Sequence, residues 1–390
     1  MALELLLAIL LGVLAGCFTG LIPGVHVNLL AAMLIAIGVG AQATPFVVSL
    51  AVTHSILNVI PAILLGAPEP SNALGVLPGH RYLLQGNGLM AIKLTVVGSY
   101  FGLLIALVLI PVWWQALKLY NYITPLIGYA LLIISAYMIL RDSKRGWALL
   151  TYALSALIGL VLLNRVVVEE PLFPLFSGLF GVATLLYSLQ QKTVIPKQKD
   201  SKKIQLKKGP TIQALFAGNT AGFLVSMLPG LGSAQAAILG MHMTRKLGDH
   251  GFLVLIGAID TINFTLSLLT WLALERARNG AVVAMSKLAE PNTQLIATLL
   301  VAALIAASIA VPICMYLSRK TLLVLSKVNY ATICWGVIVL ITVLVLLITG
   351  WRGIIILVVA TAIGLIPATK KCARSHAMGC LLFPVALYFL

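Results

Sequence analysis

Of 390 residues, 61% are hydrophobic and only 9% charged, and the mean hydropathy is +1.08, whereas soluble domains carry about 25% charged residues. This composition excludes a soluble enzyme, a nucleic-acid reader and a disordered scaffold, and points to a chain embedded in the lipid bilayer. The net charge of +16 does not indicate nucleic acid, because the Lys and Arg residues fall in short breaks between apolar runs, as in cytoplasmic membrane loops.

Apolar runs of about 20 residues are long enough to span the bilayer as helices, and runs of about 10–14 read as re-entrant pieces. In chain order the runs are 3–22, 26–40, 44–66, 89–111, 121–140, 147–163 and 172–190, then 212–228, 232–243, 251–273, 291–317, 332–350, 353–368 and 377–390. The first run has no basic stretch before it, so it is expected to be retained and not cleaved as a signal. The stretch from Gln191 to Gly209 holds seven lysines. It divides the chain into a first membrane repeat (1–190), a basic cytoplasmic linker (191–210) and a second membrane repeat (211–390). Nineteen basic residues follow the odd-numbered runs and six lie in the opposite loops. The odd-side loops are therefore expected in the cytoplasm and both termini outside.

The halves match at a nearly fixed offset. Ala15-Gly16 and Ala221-Gly222, Pro23-Gly24 and Pro229-Gly230, and Ala31 and Ala237 are each 206 apart. Asn58 with Asn263, Glu69 with Glu275, Gly146-Trp147 with Gly350-Trp351, and Gly159-Leu160 with Gly364-Leu365 follow at 204 to 206. Chance matching of two Gly- and Ala-rich sequences is the competing explanation, against which the shared order counts. Seven runs per half is an odd number, so the halves must be inverted, an architecture that recurs in secondary transporters. The expected fold is an all-α polytopic membrane protein of two inverted repeats with broken or re-entrant helices and about 10–14 membrane segments.

Each half breaks at a Pro-Gly pair. Run 1 ends in Pro23-Gly24-Val25-His26-Val27-Asn28, and run 8 in Pro229-Gly230-Leu231-Gly232-Ser233-Ala234-Gln235. Proline lacks an amide donor and glycine accepts positive φ, so each pair ends one helix and starts another. The new helices, beginning near His26 and Gly232, would turn free amides and a positive dipole end toward the break, a site suited to an anion. His26, Asn28, Ser233 and Gln235 add polar groups in the first turns. A proline kink packed on a neighbouring helix is the alternative.

Inside run 3, His54 and Asn58 lie one turn apart on one face, and inside run 10 Asp260 and Asn263 do the same. Such residues are costly in lipid and face a bundle interior or an aqueous cavity. Asp260 is the acid placed well within an apolar run and is the candidate for coupling to Na⁺ or H⁺; interhelical hydrogen bonding is the alternative role. The turn-rich stretch Gly66 to Gly88 contains Glu69 and Arg81, which form either a gate or a plain connection. The five cysteines form no CxxC pair and the six histidines are dispersed, so no metal site, disulfide framework or cofactor is expected. No Ser-His-Asp order or HExxH occurs, so no enzymatic activity is expected.

These motifs, in this order, resemble the TctA-like large membrane subunit (permease) of the tripartite tricarboxylate transporters. The resemblance is carried by Leu21-Ile22-Pro23-Gly24, by Leu228-Pro229-Gly230-Leu231-Gly232, and by the turn-rich string Pro78-Gly79-His80-Arg81-Tyr82-Leu83-Leu84-Gln85-Gly86. The first break departs from the family in carrying Val-His-Val-Asn where small residues are usual. The resemblance implies an ion-coupled permease for a small organic anion such as a di- or tricarboxylate. It also implies a multi-pass location in the cell membrane, and as partners a small membrane subunit and an extracytoplasmic binding protein. A homodimer stays open, and no nucleic-acid partner is expected. A polyprenyl-phosphate or other anionic-lipid translocase, which also places Pro-Gly breaks in two halves, is the alternative reading.

The charge asymmetry makes a topology prediction. A single cysteine placed at Ser201 should resist membrane-impermeant reagents in intact cells, while one near Leu390 should react; labelling of the Ser201 position from outside would refute the orientation.

Overall fold

The computed structural model of the chain describes residues 2–22, 27, 40–66, 74, 76–164, 168, 171–190, 196–199, 206–227, 233–244, 247–277, 279–325 and 329–390. Among them there are helices and turns and no strand. In hydrocarbon each backbone amide and carbonyl must find its partner within the chain, and a helix does so locally. Eight helices among the described residues are long and apolar enough to cross a membrane.

In the first half, α1 is Ala2–Leu21 and α2 is Thr44–Leu57, continued by a π-helical turn at Pro61–Leu65. There follow α3 (Val76–Leu84), α4 (Gly88–Val108), α5 (Ile110–Leu117), α6 (Ile127–Arg141), α7 (Arg145–Asn164) and α8 (Leu172–Gln190). The second half has α9 (Lys208–Met227), α10 (Ser233–His242), α11 (Gly248–Leu274), α12 (Gly280–Ser286), α13 (Thr293–Leu325), α14 (Tyr330–Lys370) and α15 (Gly379–Tyr388). Every expected apolar run thus has its helix except 26–40, of which nearly all lies outside the described residues.

Two local features have clear chemical causes. Pro61 has no amide to give to the carbonyl one turn back, so α2 widens there into the π turn, which ends at Gly66 in the left-handed region at φ 67°. In α14, Gly350 has φ 66° and ψ −167°, outside helical values, so the helix bends between the expected runs 332–350 and 353–368. Its counterpart Gly146 lies at the start of α7, just after α6 has ended, so the same Gly-Trp pair marks a break in both halves.

Lipid offers no hydrophobic drive between helices, so packing depends on small residues that let backbones approach. Gly12, Gly16 and Gly20 of α1 lie against Phe46, Thr53 and Leu57 of α2, in rising order along both helices. Gly218 and Gly222 of α9 meet Ala258 and Ile262 of α11 in the same way. Both pairs therefore run parallel. A close contact between the halves joins α4 and α11, also parallel. A Cβ at Gly98 would lie 2.0 Å from the Val254 carbonyl oxygen, and one at Gly257 would lie 2.0 Å from that of Thr95. Leu64 at the end of α2 abuts Gly88 at the start of α4, so the chain turns back there. Hence α11 runs opposite to α2, its counterpart at the repeat offset, a relation consistent with inverted halves. At the other end of the fold, Gly159 of α7 packs on the Cys380 backbone of α15, and Gly364 of α14 packs on Leu179 of α8. There too, helices exchange partners between halves.

The α4–α11 crossing should tolerate no side chain. Gly98→Val or Gly257→Val should cost at least the roughly 1–3 kcal/mol of an overpacked core and lower the melting temperature in detergent. Gly146→Ala, where nothing lies within 4 Å, should leave it unchanged or slightly higher.

Candidate functional site

Helix α11 is buried along almost its whole length. Between residues 253 and 271, Asp260 and Asn263 are the two positions that keep partial exposure. They are three residues apart and share a face, so α11 presents one polar, solvent-reachable spot in an otherwise sealed apolar helix. Asn58, 2% exposed at the C-terminal end of α2, directs its amide to that spot. Its Nδ2 donates to Asp260 Oδ2 at 3.5 Å. Ser233, first residue of α10, donates its Oγ to Asp260 Oδ1, also at 3.5 Å. Both distances lie at the outer limit for hydrogen bonds. The amino end of α10 adds the favourable sign of the helix dipole beside the negative charge.

Two of the residues singled out in the sequence, Asn58 from the first half and Ser233 from the second, thus converge on the carboxylate of a third, Asp260. Asn263 lies one turn along α11 from Asp260, and its carbonyl accepts from Ser267 Oγ at 2.6 Å. His54 turns elsewhere: its Nδ1 is 3.0 Å from Thr19 Oγ1, tying α2 to α1 next to their glycine seam. Pro23, Gly24, His26, Asn28, Glu69, Pro229, Gly230 and Gly232 lie outside the described residues, as does the side chain of Gln235. Among the described residues no group of three His, Cys, Asp or Glu is spaced to hold a metal.

Arg81 on α3 has a partner that sequence reasoning did not supply. Its Nη1 donates to Asp249 Oδ2 at 2.6 Å, in the first turn of α11. A second side-chain contact joins the halves, where His376 Nε2, in the turn before α15, is 2.9 Å from Asp142 Oδ2, just after α6. Desolvation raises the Asp142 pKa, but the Ala373 and Lys144 backbone amides and His376 outweigh it and hold the carboxyl below its ordinary value. Lys93, at the edge of an apolar run in the sequence, is 4% exposed inside α4. None of these contacts has a local sequence signal, because the partners are 168 and 234 residues apart. A further buried group, His80 on α3, has its imidazole pushed down to about 4 by burial, opposed by a backbone hydrogen bond with Ile63 and reinforced by the charge of Arg374.

Comparison with known proteins covers nearly the whole chain. The family model described as the tripartite tricarboxylate transporter TctA family matches residues 6–379. The chain is 31% identical over 385 residues to the uncharacterized protein MJ1079 of Methanocaldococcus jannaschii, covering 95% of each. No solved structure matches it significantly.

The state of His80 sets a pH dependence. The free imidazole titrates near 6.5, and in the fold near 4, so between these values the unfolded chain binds a proton that the folded chain refuses. Stability is fully present above about pH 6.5 and declines as pH falls toward 4. Melting temperatures in detergent at pH 7.5 and 5.0 should differ less in His80→Gln than in the parent protein.

Proposed function

The chain belongs to the tripartite tricarboxylate transporter TctA family, and from that premise we propose that it is an ion-coupled permease for a small organic anion of the di- or tricarboxylate class. A small membrane subunit and an extracytoplasmic binding protein would serve as its partners, as a tripartite family implies. The observation that carries the coupling is the Asp260 carboxylate within α11, reached by Asn58 of the opposite half and by Ser233 of α10.

The proposed order of events follows from electrostatics. An anionic substrate about 5 Å from a bare carboxylate would be repelled by about 3 kcal/mol at an effective dielectric of about 20. A cation or proton on Asp260 removes that repulsion, so the ion binds first and the anion second. The 3.5 Å separation of Ser233 Oγ and Asp260 Oδ1 suits two oxygens sharing one cation at about 2.3–2.6 Å. The anion would then lie beside this cluster, between the breaks at Pro23-Gly24 and Pro229-Gly230, held by helix amides and by Asn58 and Asn263. Two inverted halves would bring both breaks to one ligand and let each half close over it in turn. No buried arginine is needed, because two helix ends and a bound cation supply the positive field.

Citrate uptake into proteoliposomes, driven by a Na⁺ gradient and separately by a proton gradient, tests this. Asp260→Asn should fold with an unchanged melting temperature and transport without regard to either gradient, at a rate about tenfold or more below the driven rate of the parent. Gradient-driven uptake at the parental rate in this variant would remove Asp260 from the mechanism.

A further inference from the structure

Where α3, α10 and the first turn of α11 approach residues 373–375, the structure encloses a cleft of about 470 Å³. Its walls are apolar, formed by Leu74, Ile238, Met241, Leu247 and Phe252. Two charged side chains enter it, Asp249 and Arg374. The Asp249 carboxylate is taken by Arg81 at 2.6 Å. Arg374 is half-buried; its Nη1 donates to Thr184 Oγ1 at 2.6 Å and its guanidinium stands 5.9 Å from the centre of the Tyr187 ring. Among the described residues no carboxylate lies within ion-pair distance of it. A guanidinium carries five N–H donors, more than the Thr184 hydroxyl takes, and a half-buried cation is stabilised by any further acceptor brought to it. Burial lowers the Arg374 pKa, Tyr187 opposes that and the nearby charge of Arg81 adds to it.

A second cleft of about 370 Å³ adjoins the first, sharing Met241, Ala373 and Ser375, and is lined by Arg141 and Lys371. Arg141 is engaged by the Tyr137 hydroxyl, and Asp142, the acid of this second cleft, is held by His376 and by the Ala373 and Lys144 amides. Both acids that face the joined clefts are therefore already satisfied, and three cations face them.

We propose that the joined clefts form a second binding site, for an amphiphilic anion whose carboxylate or phosphate head sits on the Arg374 guanidinium and whose apolar body lies along Ile238, Met241 and Phe252. The sign of the ligand follows from Arg374, Arg141 and Lys371. Its amphiphilic character follows from the walls: a hydrated polyanion would lose its water against the apolar side chains of the first cleft, whereas a single head group on an apolar body loses little. The site is separate from the Asp260 cluster, since Asp249 lies 11 residues before Asp260, or about 16 Å along α11.

Purified full-length protein in detergent can be tested with decanoate, and with acetate as the same head without a body. Decanoate should raise the melting temperature by several degrees, and acetate at equal concentration should not. Arg374→Gln should weaken decanoate binding about tenfold or more. Should that variant fail to fold, Met241→Trp fills the cleft while keeping the arginine, and should weaken binding likewise. Asp260→Asn should bind decanoate as the parent does, which separates failure of this site from failure of the transport reading. Native mass spectrometry from phosphatidylglycerol nanodiscs, with phosphatidylcholine as control, identifies the source. Retention of phosphatidylglycerol by the parent and its loss from Arg374→Gln means a lipid head group, and decanoate binding without lipid retention means a free amphiphile. Equal effects of decanoate and acetate, or parental decanoate binding in both cleft variants, would overturn the proposal.

Discussion

The approach of α4 to α11 at Gly98 and Gly257 is the contact on which the rest of the arrangement depends. In that crossing each glycine rests on a carbonyl of the other helix, at a distance no side chain would allow. Ser99 Oγ strengthens it by donating to the Gly257 carbonyl at 3.1 Å, and Asn219 Nδ2 of α9 reaches the Gly102 carbonyl at 3.4 Å. Because lipid tails compete equally for apolar side chains, helices stay together through close packing and such hydrogen bonds. The crossing joins a helix of the first half to one of the second, and it fixes which face of α11 is left to look toward α2. That face carries Asp260.

The polar groups obey the same economy of placement. Between residues 253 and 271 of α11 the apolar positions are sealed by α4, α9 and their neighbours, and the unsealed positions are the two that carry Asp260 and Asn263. The ionic contacts lie at helix ends instead. Arg81–Asp249 is largely exposed, and such pairs contribute about 0–1 kcal/mol, so it serves better as a contact that can open than as a strut. Asp142–His376 is different in kind: both side chains are buried and two backbone amides also donate to the carboxylate. Leaving a buried hydrogen-bonding group unsatisfied typically costs about 1–3 kcal/mol. One linkage between the halves is thus weak and the other firm.

Much of this was readable along the chain. The apolar runs located the long described helices because hydropathy is a local property and a lipid solvent enforces it residue by residue; the short helices α3, α5 and α12 lie largely outside those runs, α3 within the stretch read as turn-rich. The interruption between 332–350 and 353–368 became the bend at Gly350, since only a glycine conformation could be demanded there. Asp260, Asn58 and Ser233 were each marked singly, by the cost of a polar group in an apolar run or by a place after a helix break. The Arg81 partner was not legible: Glu69 was the nearby acid in sequence, whereas Asp249 is the acid that the fold delivers.

Sequence by itself therefore determined the membrane class, the long helical segments and the short catalogue of polar residues that lipid would not tolerate without cause. The tertiary structure alone decided which of them meet. Asn58 reaches Asp260 across 202 residues, and Arg374 lines a cleft built from α3, α10 and α11. Periodicity and composition report the environment of a residue, averaged over a few turns. The identity of its neighbour depends on how two distant helices cross, and that is set by small residues whose effect appears only when both backbones are in place.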